Sequence, residues 1–190
     1  MLGKVRISPI FIFLLCLLIY CGWEREVACF LLAALLHECG HLLALTLCGC
    51  TRWRISFGLG GAAIDIGVLP YRREFFCAAA GPAVNLLLLL IPDDRLRLFN
   101  LLLLFYNLLP LAPLDGWRML AAASGQIAPQ YQSAICDAAE IIAAALLLCA
   151  GLFFAVRLPY GRLPVAAAVV ILLRTCIFRA EGLDKARFVG

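Results

Sequence analysis

The chain has 190 residues, of which 65% are hydrophobic, and a mean hydropathy of +1.00. Soluble domains are usually about 45–50% apolar, so this composition excludes an ordinary soluble protein and indicates a polytopic membrane protein. The formal net charge of +4 implies no nucleic-acid partner, because the basic residues lie mostly at the ends of apolar segments, where they set orientation in a bilayer.

Six apolar segments are predicted to cross the bilayer, whose hydrocarbon core of roughly 30 Å takes about 20 helical residues. The first segment follows Lys4 and Arg6 and resembles a signal peptide, but no convincing cleavage site follows it, so we expect a retained span. The fold class predicted is therefore an all-α polytopic membrane protein forming a single domain. The six spans are expected at about 7–23, 27–48, 75–91, 96–113, 131–156 and 163–179.

The segment between the second and third spans does not have the pattern of a membrane-spanning helix. It contains β-favouring runs around Arg54–Phe57 and Ala63–Val68, separated by a glycine-rich stretch, which predicts a small β-hairpin. Open sheet edges are not tolerated where they face lipid tails. We therefore expect the hairpin at the membrane interface or against the helices.

The distribution of basic residues predicts that both termini are cytoplasmic. Lys4 and Arg6 precede the first span, and Lys185 and Arg187 follow the last one. Positive charge is enriched on the cytoplasmic side, and six spans return the chain to the side from which it started. Arg157 and Arg162 do not fit this pattern, because they fall outside.

Ten cysteines are present, most of them within apolar segments, and none forms a CxxC pair. Cysteine in such surroundings behaves as a small hydrophobic residue, so we interpret these thiols as reduced packing residues. Cys48 and Cys50, which flank Gly49, offer an alternative as metal ligands. Without further thiol or histidine partners, the packing interpretation is favoured.

The only two histidines, His37 and His41, lie in the apolar stretch LLHECGHLLAL. Positions four apart share one face of a helix, so both imidazoles can reach one point, with Glu38 beside them. This is the HExxH arrangement, in which two histidines bind zinc and the glutamate activates a water. A pair of hydrogen-bonded core histidines is the alternative, but ionisable residues inside spans are usually functional.

Catalytic zinc usually takes three protein ligands, so a third is expected elsewhere in the chain. Asp115 is predicted to stand at the cytoplasmic end of the fourth span, which runs in the same direction as the second. Pro110 and Pro113 break the helix before it and release backbone groups that must line a cavity or bind something. Asp137 and Glu140 in the fifth span are the rival ligands.

Three sequence elements together resemble the intramembrane zinc proteases of the site-2 protease family. They are HECGH inside a span, the later segment NLLPLAPLDG, and AAAGPAVN, which matches a GPxxN element of that family. The six-span layout is similar to the sporulation-protease branch. The resemblance implies that His37, His41 and Asp115 ligate one zinc ion per chain and that Glu38 is the catalytic base.

The same resemblance implies what the protein acts on. The expected substrate is a membrane-spanning or membrane-associated protein, cleaved in or near its transmembrane segment, and the expected location is a bacterial cell membrane. Many family members carry a PDZ or CBS module, and we expect neither in these 190 residues. The sequence indicates no particular regulatory partner. The family often has a second glycine after the Asp-Gly pair, where this chain has Trp117. This difference affects the expected local packing and not the expected metal ligands.

Asn85 and Asn107 are candidates for binding the substrate backbone or an oxyanion. Hydrogen bonding between helices is an equally supported role for each of them.

Two other functions compete with proteolysis. In a membrane metal-binding or transport protein, two histidines and an acid would form a transit site, but polar residues would then be spread over several helices through the bilayer. An inactive relative would bind membrane proteins without cleaving them. The complete His-Glu-His-Asp set argues against this second alternative.

Overall fold

The computed structural model describes residues 5–7, 9–50, 54–58, 61–65, 69–157 and 162–180, and most of them are helical, as the composition predicts. Lys4, Lys185 and Arg187, on which the predicted orientation depends, lie outside this part of the chain. The helices are α1 (Pro9–Tyr20), α2 (Glu24–Leu47), α3 (Tyr71–Leu88), α4 (Asp94–Leu108), α5 (Asp115–Ile127), α6 (Gln132–Arg157) and α7 (Arg162–Ala180), with a 3-10 turn at Pro129–Tyr131 before α6.

Within these described ranges, two helices, α2 and α6 with its preceding 3-10 turn, are long and apolar enough to cross a bilayer. Along α6, Ile141, Leu146, Leu152 and Val156 are each more than half exposed, which suits lipid better than water. Helices α1 and α4 have 12 and 15 residues, about 18 and 23 Å, which is short of the roughly 30 Å hydrocarbon core. The number of six spans therefore stays a prediction.

The chain divides into two compact units. The first contains α1, α2, a small sheet, α3 from Phe76 onward and nearly all of α4. Within it α2 and α3 approach closely at Gly40, where a Cβ atom would lie 2.8 Å from the carbonyl oxygen of Ala80. Glycine at this position therefore lets the two helix backbones come together.

Helix α2 ends in a Schellman motif, in which a residue with positive φ turns the chain and its neighbours satisfy the last carbonyls. Gly49 supplies the positive φ, at 78°. Its N–H donates to the Thr46 carbonyl at 3.0 Å, and the N–H of Cys50 donates to the Leu45 carbonyl at 2.9 Å. Cys48 is consequently held as the cap residue of the helix.

The sheet has three strands in the order β1 (Val5–Ile7), β2 (Arg54–Gly58) and β3 (Gly61–Asp65). β2 and β3 are antiparallel, with Gly58 opposite Gly61, and they lie in the segment for which a hairpin is predicted. β1 runs parallel to β2. This strand was not predicted, because three residues are too few for a periodicity to be recognised. The first helix starts after it, at Pro9, where proline's fixed φ suits the first helical position.

The second unit contains residues 70–75 and α5, α6 and α7. The span predicted over 96–113 overlaps helix α4, and the break predicted at Pro110 and Pro113 falls between the end of this helix and Asp115. Helix α4 ends at Leu108, because Pro110 has no N–H to donate and disfavours helical backbone in the residue before it. Asp115 is the first residue of a separate helix, α5.

Helix α5 packs one face inward and was missed because it is not a long apolar run. Its buried residues recur at helical spacing, so it is amphipathic. Trp117 and Ala121 form a core cluster with Ala112 and Cys136, and Phe178 of α7 packs edge-on against Trp117. This packing fixes the orientation of the helix that begins with Asp115.

Candidate metal centre

His37 and His41 lie one turn apart on α2, and both are buried, with 4% of their surface exposed. Their Nε2 atoms are 3.1 Å apart, and the two rings are nearly perpendicular, at 84°. The spacing of four residues explains the convergence, since positions i and i+4 lie on the same face of a helix. The two imidazoles thus meet as the HExxH pattern predicts.

Two acceptors on α3 bind the Nδ1 atoms of the two rings, on the side away from the Nε2 atoms. The Nδ1 of His37 donates to Asn85 Oδ1 at 2.6 Å, and the Nδ1 of His41 donates to the Cys77 carbonyl oxygen at 2.7 Å. The amide of Asn85 is itself oriented, because its Nδ2 donates to the Asn100 carbonyl at 3.4 Å. With the protons on Nδ1, both Nε2 atoms present lone pairs, which is the tautomer required for metal ligation.

These two nitrogens fit a zinc ion. Two lone pairs 3.1 Å apart repel each other. A cation between them would be attracted to both and would offset this repulsion. Tetrahedral zinc with Zn–N distances of about 2.0–2.1 Å would separate two ligand nitrogens by about 3.3–3.4 Å, close to the spacing here. Gly81 keeps the space beside them open, because a Cβ atom there would lie 2.6 Å from the Nε2 of His37.

The other predicted residues of the active site have distinct environments. Glu38 is half-buried on α2 directly after His37. Asn85 is fully buried against His37, which makes it a positioning residue for that ring, while its contact with substrate stays a prediction. Asn107 lies next to the last residue of α4 and is half-buried.

Among the residues that the structure describes, one group of three side chains is able to hold a metal ion: His37, His41 and Asp115. All three are buried, and their ligand atoms lie within 4.8 Å of one another. Two imidazoles and one carboxylate are the donor set of a catalytic zinc site. The rival carboxylates of Asp137 and Glu140 bind Arg179 on α7, at 2.6 and 2.9 Å.

Two residues around Asp115 were missed by sequence reasoning. Arg118, one turn later on α5, donates from a terminal nitrogen to Asp115 Oδ1 at 3.1 Å and from Nε to Glu74 Oε1 at 2.8 Å. The side chains of Arg118, Asp115 and Glu74 are 11%, 8% and 7% exposed. Arg118 therefore orients the Asp115 carboxylate, and Glu74 holds Arg118 in place.

The spacing of three residues between Asp115 and Arg118 is a helical ion-pair signal that the sequence does contain. Glu74 offers no such local signal, because it lies 44 residues away from Arg118 in the chain.

We expect Arg118→Ala to destabilise the protein by about 3–5 kcal/mol, because two buried carboxylates lose the guanidinium that both bind. Arg118→Lys should restore only part of this stability, since a single ammonium cannot reproduce the planar fork. Thermal unfolding of the detergent-solubilised protein measures both effects. Arg97→Ala is the matched control, because Arg97 pairs with Asp94 at an exposed position and this ion pair should contribute at most about 1 kcal/mol. Equal losses for Arg118→Ala and Arg97→Ala would contradict the assigned role.

Comparison with solved structures identifies the class of fold. The chain matches the site-2 protease from Methanocaldococcus jannaschii with a TM-score of 0.59, covering 100% of this chain and 94% of that one. The sequence identity is 21%, so the likeness establishes the fold: the chain has the fold of a site-2 protease.

Among curated proteins, the chain is similar to Stage IV sporulation protein FB of Bacillus subtilis (strain 168). The two are 30% identical over 136 residues, which cover 62% of this chain and 46% of the relative. The chain thus spans about half the length of the curated relative that it matches. No protein-family model matches the sequence.

Proposed function

We propose that the chain is an intramembrane zinc metalloendopeptidase of the site-2 protease family, which cleaves a peptide bond in or near a transmembrane segment of a membrane protein. The observation that carries this proposal is the buried group of His37, His41 and Asp115, with Glu38 adjacent to the first histidine. The site-2 protease fold and the similarity to Stage IV sporulation protein FB support it.

In this proposal His37, His41 and Asp115 hold one zinc ion per chain. Zinc, when bound, supplies the Lewis acidity that activates a water molecule and polarises the substrate carbonyl. Glu38 accepts the proton of the attacking water and delivers it to the leaving amine. Asn85 keeps His37 in the ligating tautomer, and Asn107 is proposed to bind the substrate backbone.

The proposed setting is a bacterial cell membrane, crossed by six spans with both termini in the cytoplasm. A helical substrate hides its carbonyls in its own hydrogen bonds, so it must unwind before it can be cleaved. β3 lies at one edge of the three-stranded sheet, and we include in the proposal that it pairs with the unwound substrate strand.

The proposal is tested by incubating the detergent-solubilised protein with a panel of single-span membrane proteins, with and without a zinc chelator. We expect cleavage that stops with the chelator and returns when zinc is restored, and mass spectrometry should place the cut in or beside a transmembrane segment. A metal-transport protein would bind zinc without cleaving any of the panel. An inactive relative would capture membrane proteins intact.

A further inference from the structure

Three cysteines gather where α2 ends. Cys48 caps this helix, Cys77 lies on α3, and their Sγ atoms are 3.9 Å apart. Cys48 and Cys50 pack against a buried cluster formed by Leu45, Leu69 and Cys77. None of the ten cysteines, all of which lie within the described residues, forms a disulfide in the structure. Packing accounts for a contact of this length, and the two sulfur atoms are also close enough to react with each other after a small movement.

Cys77 also contacts the metal centre through its backbone. Its carbonyl oxygen accepts the hydrogen bond from His41 Nδ1, at 2.7 Å. One residue therefore carries both a thiol in contact with Cys48 and the acceptor that orients a ligand ring. Any displacement of α3 at Cys77 relative to the end of α2 changes the support of His41.

We propose that Cys48 and Cys77 form a reversible disulfide under oxidation by a small-molecule disulfide, and that this bond weakens metal binding at His41. The second half of the proposal rests on the proposed function, and the first half does not. Such bonds in cytosolic proteins are usually transient and serve redox sensing.

The chemistry is thiol–disulfide exchange, which conserves atoms and electrons. Cys48 is half-buried and Cys77 is buried, so the oxidant reaches Cys48 first. Cys48 forms a mixed disulfide with one half of the oxidant and releases the other half as a thiol. The Cys77 sulfur then attacks the Cys48 sulfur and releases the second thiol. The two released thiols carry the two electrons and two protons that the cysteines lose.

Formation of the bond requires movement. A disulfide is about 2.05 Å long, so the two Sγ atoms must approach by nearly 2 Å from their 3.9 Å separation. Cys48 is held by the Schellman motif at the end of α2. We therefore expect the backbone at Cys77 to shift and to disturb its hydrogen bond to His41. Loss of such an outer hydrogen bond typically costs 10–100-fold in metal affinity.

The test uses the full chain in detergent, treated with oxidised glutathione, blocked with N-ethylmaleimide and mapped by mass spectrometry without reduction. We expect the Cys48–Cys77 crosslinked peptide as the main disulfide, removed by dithiothreitol. Cys48→Ser should abolish it, whereas Cys50→Ser should keep it. Cys149→Ser, at an exposed cysteine on α6, is the matched control and should also keep it. Glutathione attached singly at scattered cysteines, or a Cys48–Cys50 bridge, would overturn the proposal.

A measurement of zinc affinity, by competition with a chromophoric chelator, distinguishes a failure of this proposal from a failure of the proposed function. Oxidation should weaken zinc binding about tenfold or more in the unmodified chain, whereas the Cys48→Ser chain should keep its affinity under both conditions. If the disulfide forms and the affinity is unchanged, the coupling is wrong. If the disulfide forms and neither state binds zinc, the proposed function fails while the modification site stands.

Discussion

Glu38→Gln is expected to leave zinc bound and to reduce peptide-bond cleavage by about 100–10,000-fold, the range that a general base contributes. Glutamine has nearly the same shape, so the His37 and His41 rings keep their positions, but an amide cannot accept a proton from water at neutral pH. Cleavage of a single-span substrate and zinc content by elemental analysis are the two measurements.

Glu24→Gln provides the matched control for this experiment. Glu24 belongs to the same helix, in its first turn, and is exposed. The same chemical change there should leave both cleavage and zinc content as they are. Substantial residual proteolysis in Glu38→Gln would assign the base to another residue.

Asp115→Asn is expected to weaken zinc binding by more than the 10–100-fold typical of losing an outer hydrogen-bond partner, and to abolish cleavage. An amide oxygen is a poor zinc ligand, yet it still accepts a hydrogen bond from Arg118, so the start of α5 should remain folded. Zinc per chain after dialysis against a chelator gives the affinity, and thermal unfolding verifies the fold.

Asp137→Asn is the informative comparison, because this aspartate is the rival ligand and pairs with Arg179. Its amide variant should keep the full zinc content. The reverse outcome, zinc lost from Asp137→Asn and retained by Asp115→Asn, would transfer the third ligand position to α6.

The parts of the fold that could be predicted are those that follow from local pattern. The two histidines four residues apart define a helix face, and their convergence follows from helical geometry alone. The fold implied by HECGH, AAAGPAVN and NLLPLAPLDG is confirmed by the match to a solved site-2 protease. A family motif predicts how distant segments are arranged in three dimensions, which a hydropathy profile alone cannot predict.

The parts that could not be predicted depend on partners far apart in the chain. Helix α5 is amphipathic, with Trp117 and Ala121 on its inner face. A search for long apolar runs therefore passes over it and leaves its first residue, Asp115, as an isolated acid after the preceding span. The bond between Asn85 and His37 joins positions 48 apart. No local pattern distinguishes that role from binding of substrate or packing between helices.

The salt-bridged cluster of Arg118, Glu74 and Asp115 determines the net charge around the proposed metal ligands. Arg118 and Glu74 are both nearly buried and cancel each other, so the ligand set of two neutral imidazoles and one carboxylate contributes a single negative charge. A divalent cation bound by these three ligands would keep an excess of one positive charge over the ligand set. In the proposed reaction, that charge would stabilise the negative charge that develops on the carbonyl oxygen under attack. The buried arginine thus lets a second acid support the centre without weakening the electrophile.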